Sequence, residues 1–329
     1  MADATGVGSM PGDEQRAYDE ALRLVLGELP DLPHLPEVPG RGAIATMTGR
    51  ALAVVADLGA DLQPAGWRLT DAPGVDQRRA RSLLGQDLDG LEERTEGLTG
   101  AFKIQVAGPW TLAATVERPR GDKLLADHGA RRELAQALAE GLRGHIRDVR
   151  SRLRGVDRLV VQLDEPALAA VLAGQVPTAS GFHRHRSVDR PEASDALGWV
   201  LAAITDEGAE PWVHTCAAET PLDLLRGAGA RGLSVDLDRQ SAADHDVLAE
   251  ALEAGETVVL GVVPSTDADL GEAVVVERVQ RWLDLVGLDV ETVGDRLGIS
   301  GTCGLAGASH QWARRALEIS RRAAAELTT

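Results

Sequence analysis

Apolar residues in this chain gather in short runs separated by longer stretches of helical period. The runs fall at 5–9, 102–107, 158–163, 211–216, 232–236, 257–263 and 297–301. Most are rich in Val, Ile and Leu and too short for helices, so they read as strands. Between them the pattern predicts helices at 13–27, 44–58, 77–94, 124–154, 189–205, 241–254, 267–286 and 309–327. The last shows the period plainly. Trp312, Ala316, Ile319 and Ala323 form an apolar stripe, with Arg314, Arg315, Arg321 and Arg322 mostly off it. An eighth strand falls at 33–38 or at 61–68. A helix after each strand implies parallel pairing, and eight such units over this length predict a (β/α)8 TIM barrel. A doubly wound open sheet is the other arrangement that fits. No linker-like segment interrupts the alternation and no short repeat occurs, so residues 1–329 are expected to form a single domain.

Composition narrows the partners. With 329 residues, 44% of them hydrophobic, the chain is long enough to bury a large core. Its formal net charge of −17 argues against nucleic acid or an anionic membrane surface, both of which require a basic face. No window approaches the roughly 20 apolar residues of a membrane span. The opening residues Met1-Ala2-Asp3-Ala4 lack the basic and apolar regions of a signal peptide. Two cysteines without an export signal suit a reducing compartment, as free thiols or ligands and not as a disulfide. The expectation is a soluble, cytoplasmic protein.

Both cysteines stand where they can ligate a metal. Cys216 closes Trp212-Val213-His214-Thr215-Cys216, and Cys303 lies in Thr302-Cys303-Gly304-Leu305. His214 and Cys216 are two positions apart, so on an extended strand they face the same side. Asp236 ends another apolar run, Leu233-Ser234-Val235-Asp236. One imidazole, one carboxylate and two thiolates form a donor set suited to Zn²⁺. Neutral readings exist for each residue, because a buried cysteine serves as a small hydrophobe and a histidine as a core residue. They must hold for three residues at once. In a barrel, active-site residues gather at the C-terminal ends of strands, which is where Ser9, Asp164, His214, Cys216, Asp236 and Cys303 fall.

In order along the chain come Gly8-Ser9-Met10-Pro11, Val106-Ala107-Gly108-Pro109, Gln162-Leu163-Asp164-Glu165-Pro166-Ala167, His214-Thr215-Cys216, Ser234-Val235-Asp236 and Cys303-Gly304-Leu305. This series resembles the C-terminal catalytic half of cobalamin-independent methionine synthase over nearly the whole chain. The resemblance implies a (β/α)8 barrel that moves a methyl group to the sulfur of homocysteine, giving methionine. It further implies zinc held by His214, Cys216, Asp236 and Cys303, with Asp164 placed for the substrate ammonium and Ser9 for its carboxylate. Each of the last two also has an ordinary role, Asp164 as a helix cap and Ser9 in a turn.

The chain departs from that pattern in four places. The family's acidic zinc ligand is Glu, one methylene longer than Asp236. Its general-acid histidine has no match in Gly261-Val262-Val263-Pro264-Ser265, and neither His34 nor His310 fits the motif. No catalytic acid is therefore assigned. Trp110 either stacks on a pterin or fills the core, and a second acidic contact for the amino acid is not found. The donor implied is a methyl-folate or, as for short single-barrel relatives, a methyl-corrinoid protein.

Three other readings remain open from sequence. A decarboxylase of the uroporphyrinogen-decarboxylase type shares the barrel and requires arginines, for which the loop carrying Arg184, Arg186 and Arg190 is available. A non-catalytic zinc- or thiol-binding protein fits the missing histidine. A methyltransferase acting on another small thiol fits the same metal site.

Overall fold

Seven strands pair in parallel into one curled sheet. The structure is a computed structural model that describes residues 2–14 and 16–327. In chain order the strands are β1 (Asp3–Ala4), β2 (Gly59–Gln63), β3 (Gly66–Thr70), β4 (Gly100–Ala107), β5 (Val156–Asp164), β6 (Glu210–Thr215), β7 (Gly232–Asp236), β8 (Thr257–Val263) and β9 (Leu297–Gly301). The curled sheet has the order β1-β9-β8-β7-β6-β5-β4, while β2 and β3 pair separately and antiparallel. Strands β5 to β9 are buried along almost their whole length. That is why they read as continuous apolar runs and not as alternations.

Helices cover the sheet. The first half of the chain supplies α1 (Ala17–Glu28), α2 (Met47–Val54), α3 (Val75–Arg94), α4 (Pro109–Thr115), α5 (His128–Arg152) and α6 (Leu168–Leu172). The second half supplies α7 (Arg190–Asp206), α8 (Leu222–Gly227), α9 (Ala242–Glu253), α10 (Glu272–Val286), α11 (Val290–Val293) and α12 (His310–Glu326). In α5 the residues Leu134, Leu138, Leu142, Ile146 and Val149 are buried, one stripe at helical spacing. The stripe expected in α12 is buried as well, with Trp312, Ala316, Ile319 and Ala323 inward. No described helix is long and apolar enough to cross a membrane.

Six of the seven expected strands form where the runs predict them; the first forms at Asp3–Ala4, just before the expected run 5–9, of which only Ser9 makes an isolated bridge, to Glu37. The two candidates for an eighth separate. The segment 61–68 belongs to the antiparallel β2–β3 hairpin outside the main sheet. The segment 33–38 is extended and lies between the sheet's two edges. It exchanges backbone hydrogen bonds with β4 (Leu35 N to Lys103 O, 2.8 Å; Lys103 N to Pro33 O, 2.9 Å) and with the chain after β1 (Glu37 N to Gly8 O, 3.0 Å; Met10 N to Glu37 O, 2.7 Å). The observed architecture is therefore an α/β fold built on a curled seven-stranded parallel sheet, compatible with the eight-unit barrel.

The loop after β5 is tied to the start of α4 by Glu165. Its carboxylate accepts from Trp110 N (2.9 Å), Thr111 N (2.8 Å) and Thr111 Oγ1 (2.7 Å), capping a helix whose own N-cap residue, Gly108, has no side chain. A Cβ at Gly108 would meet Glu165 Oε1 at 2.3 Å, so the glycine admits the carboxylate. Burial pushes the Glu165 carboxyl up to about 7 against these hydrogen bonds. Replacing Glu165 with Ala strands buried backbone donors, and we expect a loss of about 2–4 kcal/mol of stability. A chemical denaturation midpoint unchanged from wild type would contradict this role.

Candidate active site

The strands β4 to β9 run parallel, so their C-terminal ends share one rim. Asp164 ends β5, Thr215 and Asp236 end β6 and β7, and Cys303 follows the end of β9. Register sets the neighbours there, with Asp164 opposite His214 and His214 opposite Ser234.

His214, Cys216 and Cys303 converge, their ligand atoms lying within 4.8 Å of one another. The sulfurs of Cys216 and Cys303 are 3.0 Å apart and share a hydrogen bond, both residues being free thiols. His214 Nδ1 lies 3.1 Å from both the carbonyl and the hydroxyl oxygen of Ser234, while its buried Nε2 has no hydrogen-bond partner among the described residues. A histidine held at one nitrogen with the other left over beside two thiols is the arrangement of a metal-ligating imidazole. The three side chains therefore fit Zn²⁺. The hydrogen bond from Cys216, with a smaller pull from His214, lowers Cys303 to about 4, and Cys216 holds its own proton more tightly.

Asp236 stands outside this group of three. Its Oδ1 accepts from Asp238 N at 3.1 Å, capping the short turn Leu237–Arg239, and Oδ2 lies 3.8 Å from Arg239 Nε. The local pairing competes for the carboxylate that the metal reading assigns to zinc.

A cavity of about 310 Å³ opens at the site, lined among others by Ser9, Glu37, Asp164, His214, Cys216 and Cys303. Ser9 is pressed against the Cys303 loop. Leu305 N donates to Ser9 O at 2.7 Å, and a Cβ at Gly304 would meet Ser9 Oγ at 2.0 Å. Asp164 caps no helix. Its Oδ1 accepts from Gln162 Nε2 at 2.7 Å, and burial pushes its carboxyl up to about 7, opposed first by His214. Glu37 is the second carboxylate of the cavity and had no motif to announce it. The one signal was a lone acid inside the apolar, proline-spaced run Leu32-Pro33-His34-Leu35-Pro36-Glu37-Val38. Burial raises its carboxyl too, with Arg50 the largest opposing influence.

Other residues weighed from sequence lie elsewhere. His34 is fully buried beside Lys103, and His310 lines a separate cavity with Met10 and Arg314. Trp110 is core, 1% exposed, its indole donating to Ala193 O at 3.1 Å. Among the described residues no arginine lines the site. Arg184 bonds to Gln175 O and Arg190 to Asp223, which leaves the decarboxylase reading without its carboxylate clamps.

Residues 106–326 match the family described as cobalamin-independent synthase, catalytic domain. The fold is similar to that of a B12-independent methionine synthase from Shewanella sp. W3-18-1, solved in complex with selenomethionine. That alignment has 17% identity and a TM-score of 0.66, covering 100% of this chain and 98% of that one. A 2,3-dimethylmalate lyase of the PEP mutase/isocitrate lyase superfamily aligns over 65% of this chain and 80% of its own, with 12% identity and a TM-score of 0.28, too low to argue from. No curated protein sequence matches. A cobalamin-independent family gives no support to a methyl-corrinoid donor, and that part of the sequence reading is withdrawn.

The unequal thiols generate a test. In metal-free protein at about pH 6, above the lowered pKa of Cys303, iodoacetamide should label Cys303 well before Cys216, and added Zn²⁺ should suppress both reactions. Peptide mass spectrometry reads the order. Equal labelling of the two cysteines would contradict the assignment of the thiolate.

Proposed function

The chain belongs to the cobalamin-independent synthase family, as its catalytic domain, and is a methyltransferase; on that premise we propose that it moves a methyl group from a methyl-folate to the thiolate of homocysteine, giving methionine, with Zn²⁺ as cofactor. The observation that carries this reading is the His214, Cys216 and Cys303 cluster opening into the same cavity as two carboxylates. We read the fold as a single-domain (β/α)8 barrel in which segment 33–38 is the eighth stave. The setting we propose is the cytoplasm, where reducing conditions keep both ligand thiols free.

Zinc supplies one thing when bound here: it favours the deprotonated form of a coordinated thiol, so that the substrate sulfur is a nucleophile at neutral pH. The residues of the chain do the rest. His214, Cys216 and Cys303 would hold the metal, and Ser234 orients His214 through Nδ1. Asp236 would be available to the metal as a further donor once its bond to Asp238 N–H opened. Asp164 and Glu37 receive the ammonium of the amino acid, and Ser9 with the N–H groups of its loop receives the carboxylate. A substrate fixed at both ends presents its sulfur in one orientation, which lowers the entropic part of the barrier.

Zinc-edge X-ray absorption with and without homocysteine tests the metal and the acceptor together. The sulfur count should rise from two to three when homocysteine is added. Cys216→Ser and Cys303→Ser should each abolish tight zinc binding, and unchanged zinc content in both would remove the metal assignment. Asp164→Asn should leave zinc in place and weaken homocysteine binding about tenfold or more. Loss of zinc in that variant would mean that Asp164 serves the metal and not the amino acid.

A further inference from the structure

The carboxylate of Glu37 is gripped at one oxygen. Its Oε1 lies 3.2 Å from Gln105 Nε2 and 3.5 Å from Arg50 Nε, and among the described residues no hydrogen bond falls on Oε2. Glu37 lines the cavity, whereas Gln105 and Arg50 sit behind it, 6% and 5% exposed. Arg50 is in turn held from the far side. Its Nη1 lies 2.5 Å from Asp87 Oδ2 on α3, and Arg41 binds both oxygens of the same carboxylate at 2.8 and 2.7 Å. The Tyr18 hydroxyl donates to Asp87 O at 2.6 Å, and its ring lies 5.1 Å from the Arg41 guanidinium carbon. Arg50 therefore cannot swing into the cavity, nor close fully on Glu37, without leaving Asp87.

The same device recurs one strand away. Gln105 on β4 is the register partner of Gln162 on β5. Gln162 Nε2 donates to Val7 O (2.9 Å) and Asp164 Oδ1 (2.7 Å), and Gln105 Nε2 to Leu35 O (2.7 Å) and Glu37 Oε1. Each amide thus faces one carbonyl and one carboxylate oxygen. Both are acceptors, so the NH₂ end of each side chain must point at them. Two neighbouring glutamines each hold one oxygen of a cavity carboxylate and leave the other.

We propose that Arg50 and Gln105 are positioning residues that turn Glu37 into the reader of the substrate's amino group, so that the pocket selects thiols carrying an α-amino group over the same thiols without it. The inference rests on the homocysteine reading of the cavity. A carboxylate paired at both oxygens has nothing left for a ligand, and a buried one with no partner becomes neutral. The one-sided grip avoids both. Removing Arg50 takes away the largest influence opposing burial, so Glu37 loses the charge that an ammonium needs.

The test compares dissociation constants of zinc-loaded protein for homocysteine and for 4-sulfanylbutanoate, its analogue lacking the amino group. Arg50→Met and Gln105→Leu should each weaken homocysteine about tenfold or more while changing 4-sulfanylbutanoate by less than about twofold. In a Glu37→Gln background, Arg50→Met should have no further effect on the ratio. A merely structural role predicts that both ligands weaken together and that the double variant is additive; either result overturns the proposal. If Arg50→Met does not fold, the uncharged change Gln105→Leu decides the matter by the same ratio. A wild-type protein that binds neither thiol overturns the homocysteine reading and this inference with it. Binding whose preference for homocysteine survives every variant overturns this inference alone.

Discussion

In a parallel sheet every strand delivers its last residue to the same edge, so the register between neighbours decides which side chains meet. Here Asp164 pairs with His214, and His214 with Ser234. That row places a carboxylate, an imidazole and its orienting hydroxyl side by side. Closing the curl brings Cys303, 87 positions from Cys216 in sequence, to 3.0 Å from it. A one-residue slip in β6 would turn His214 to the opposite face and dissolve the cluster. Burial of the strands on both faces makes such a slip costly, because apolar side chains fill both sides of the sheet.

The polar interior depends on that frame. Lys103 is fully buried with Nζ 3.0 Å from Val7 O, and burial lowers it to about 8 against the pull of Asp164 and Glu37. Charges so deep in a protein persist only when they are paired and hydrogen-bonded. Asp164, Lys103, Glu37, Arg50, Asp87 and Arg41 alternate in sign from the cavity out to α3, with direct ion pairs joining Glu37 to Arg50 and Asp87 to both arginines. The proposed amino acid, a zwitterion, would enter the inner end of this series without disturbing its overall charge. The arrangement thus connects the stability of the sheet's polar filling with recognition in the cavity.

Much of this was legible beforehand for identifiable reasons. The strands showed as runs because both of their faces are buried, and His214-x-Cys216 showed because a strand has period two. Trp110 was ambiguous until the Ala193 carbonyl was seen to take its N–H. The segment 61–68 misled because a hairpin on the outside and a stave of the sheet share the same local pattern. Asp236 carried a second local use, since Asp-Leu-Asp lets its carboxylate reach the N–H two residues on. Only its place as a lone acid in an apolar, proline-spaced run marked Glu37, whose partners Arg50 and Gln105 lie 13 and 68 positions downstream.

By itself the sequence determined which segments are strands and helices, that they alternate, and which residue types stand ready at strand ends. Those properties are local, set by hydrophobic period and by side-chain chemistry. Only the tertiary structure decided that three of the four metal candidates converge while Asp236 caps a turn, and that Glu37 joins Asp164 in one cavity. It alone decided that Gln105 and Arg50 stand behind Glu37. Meetings of that kind are fixed by strand register and by the pairing of buried charges, and both depend on residues far apart in the chain.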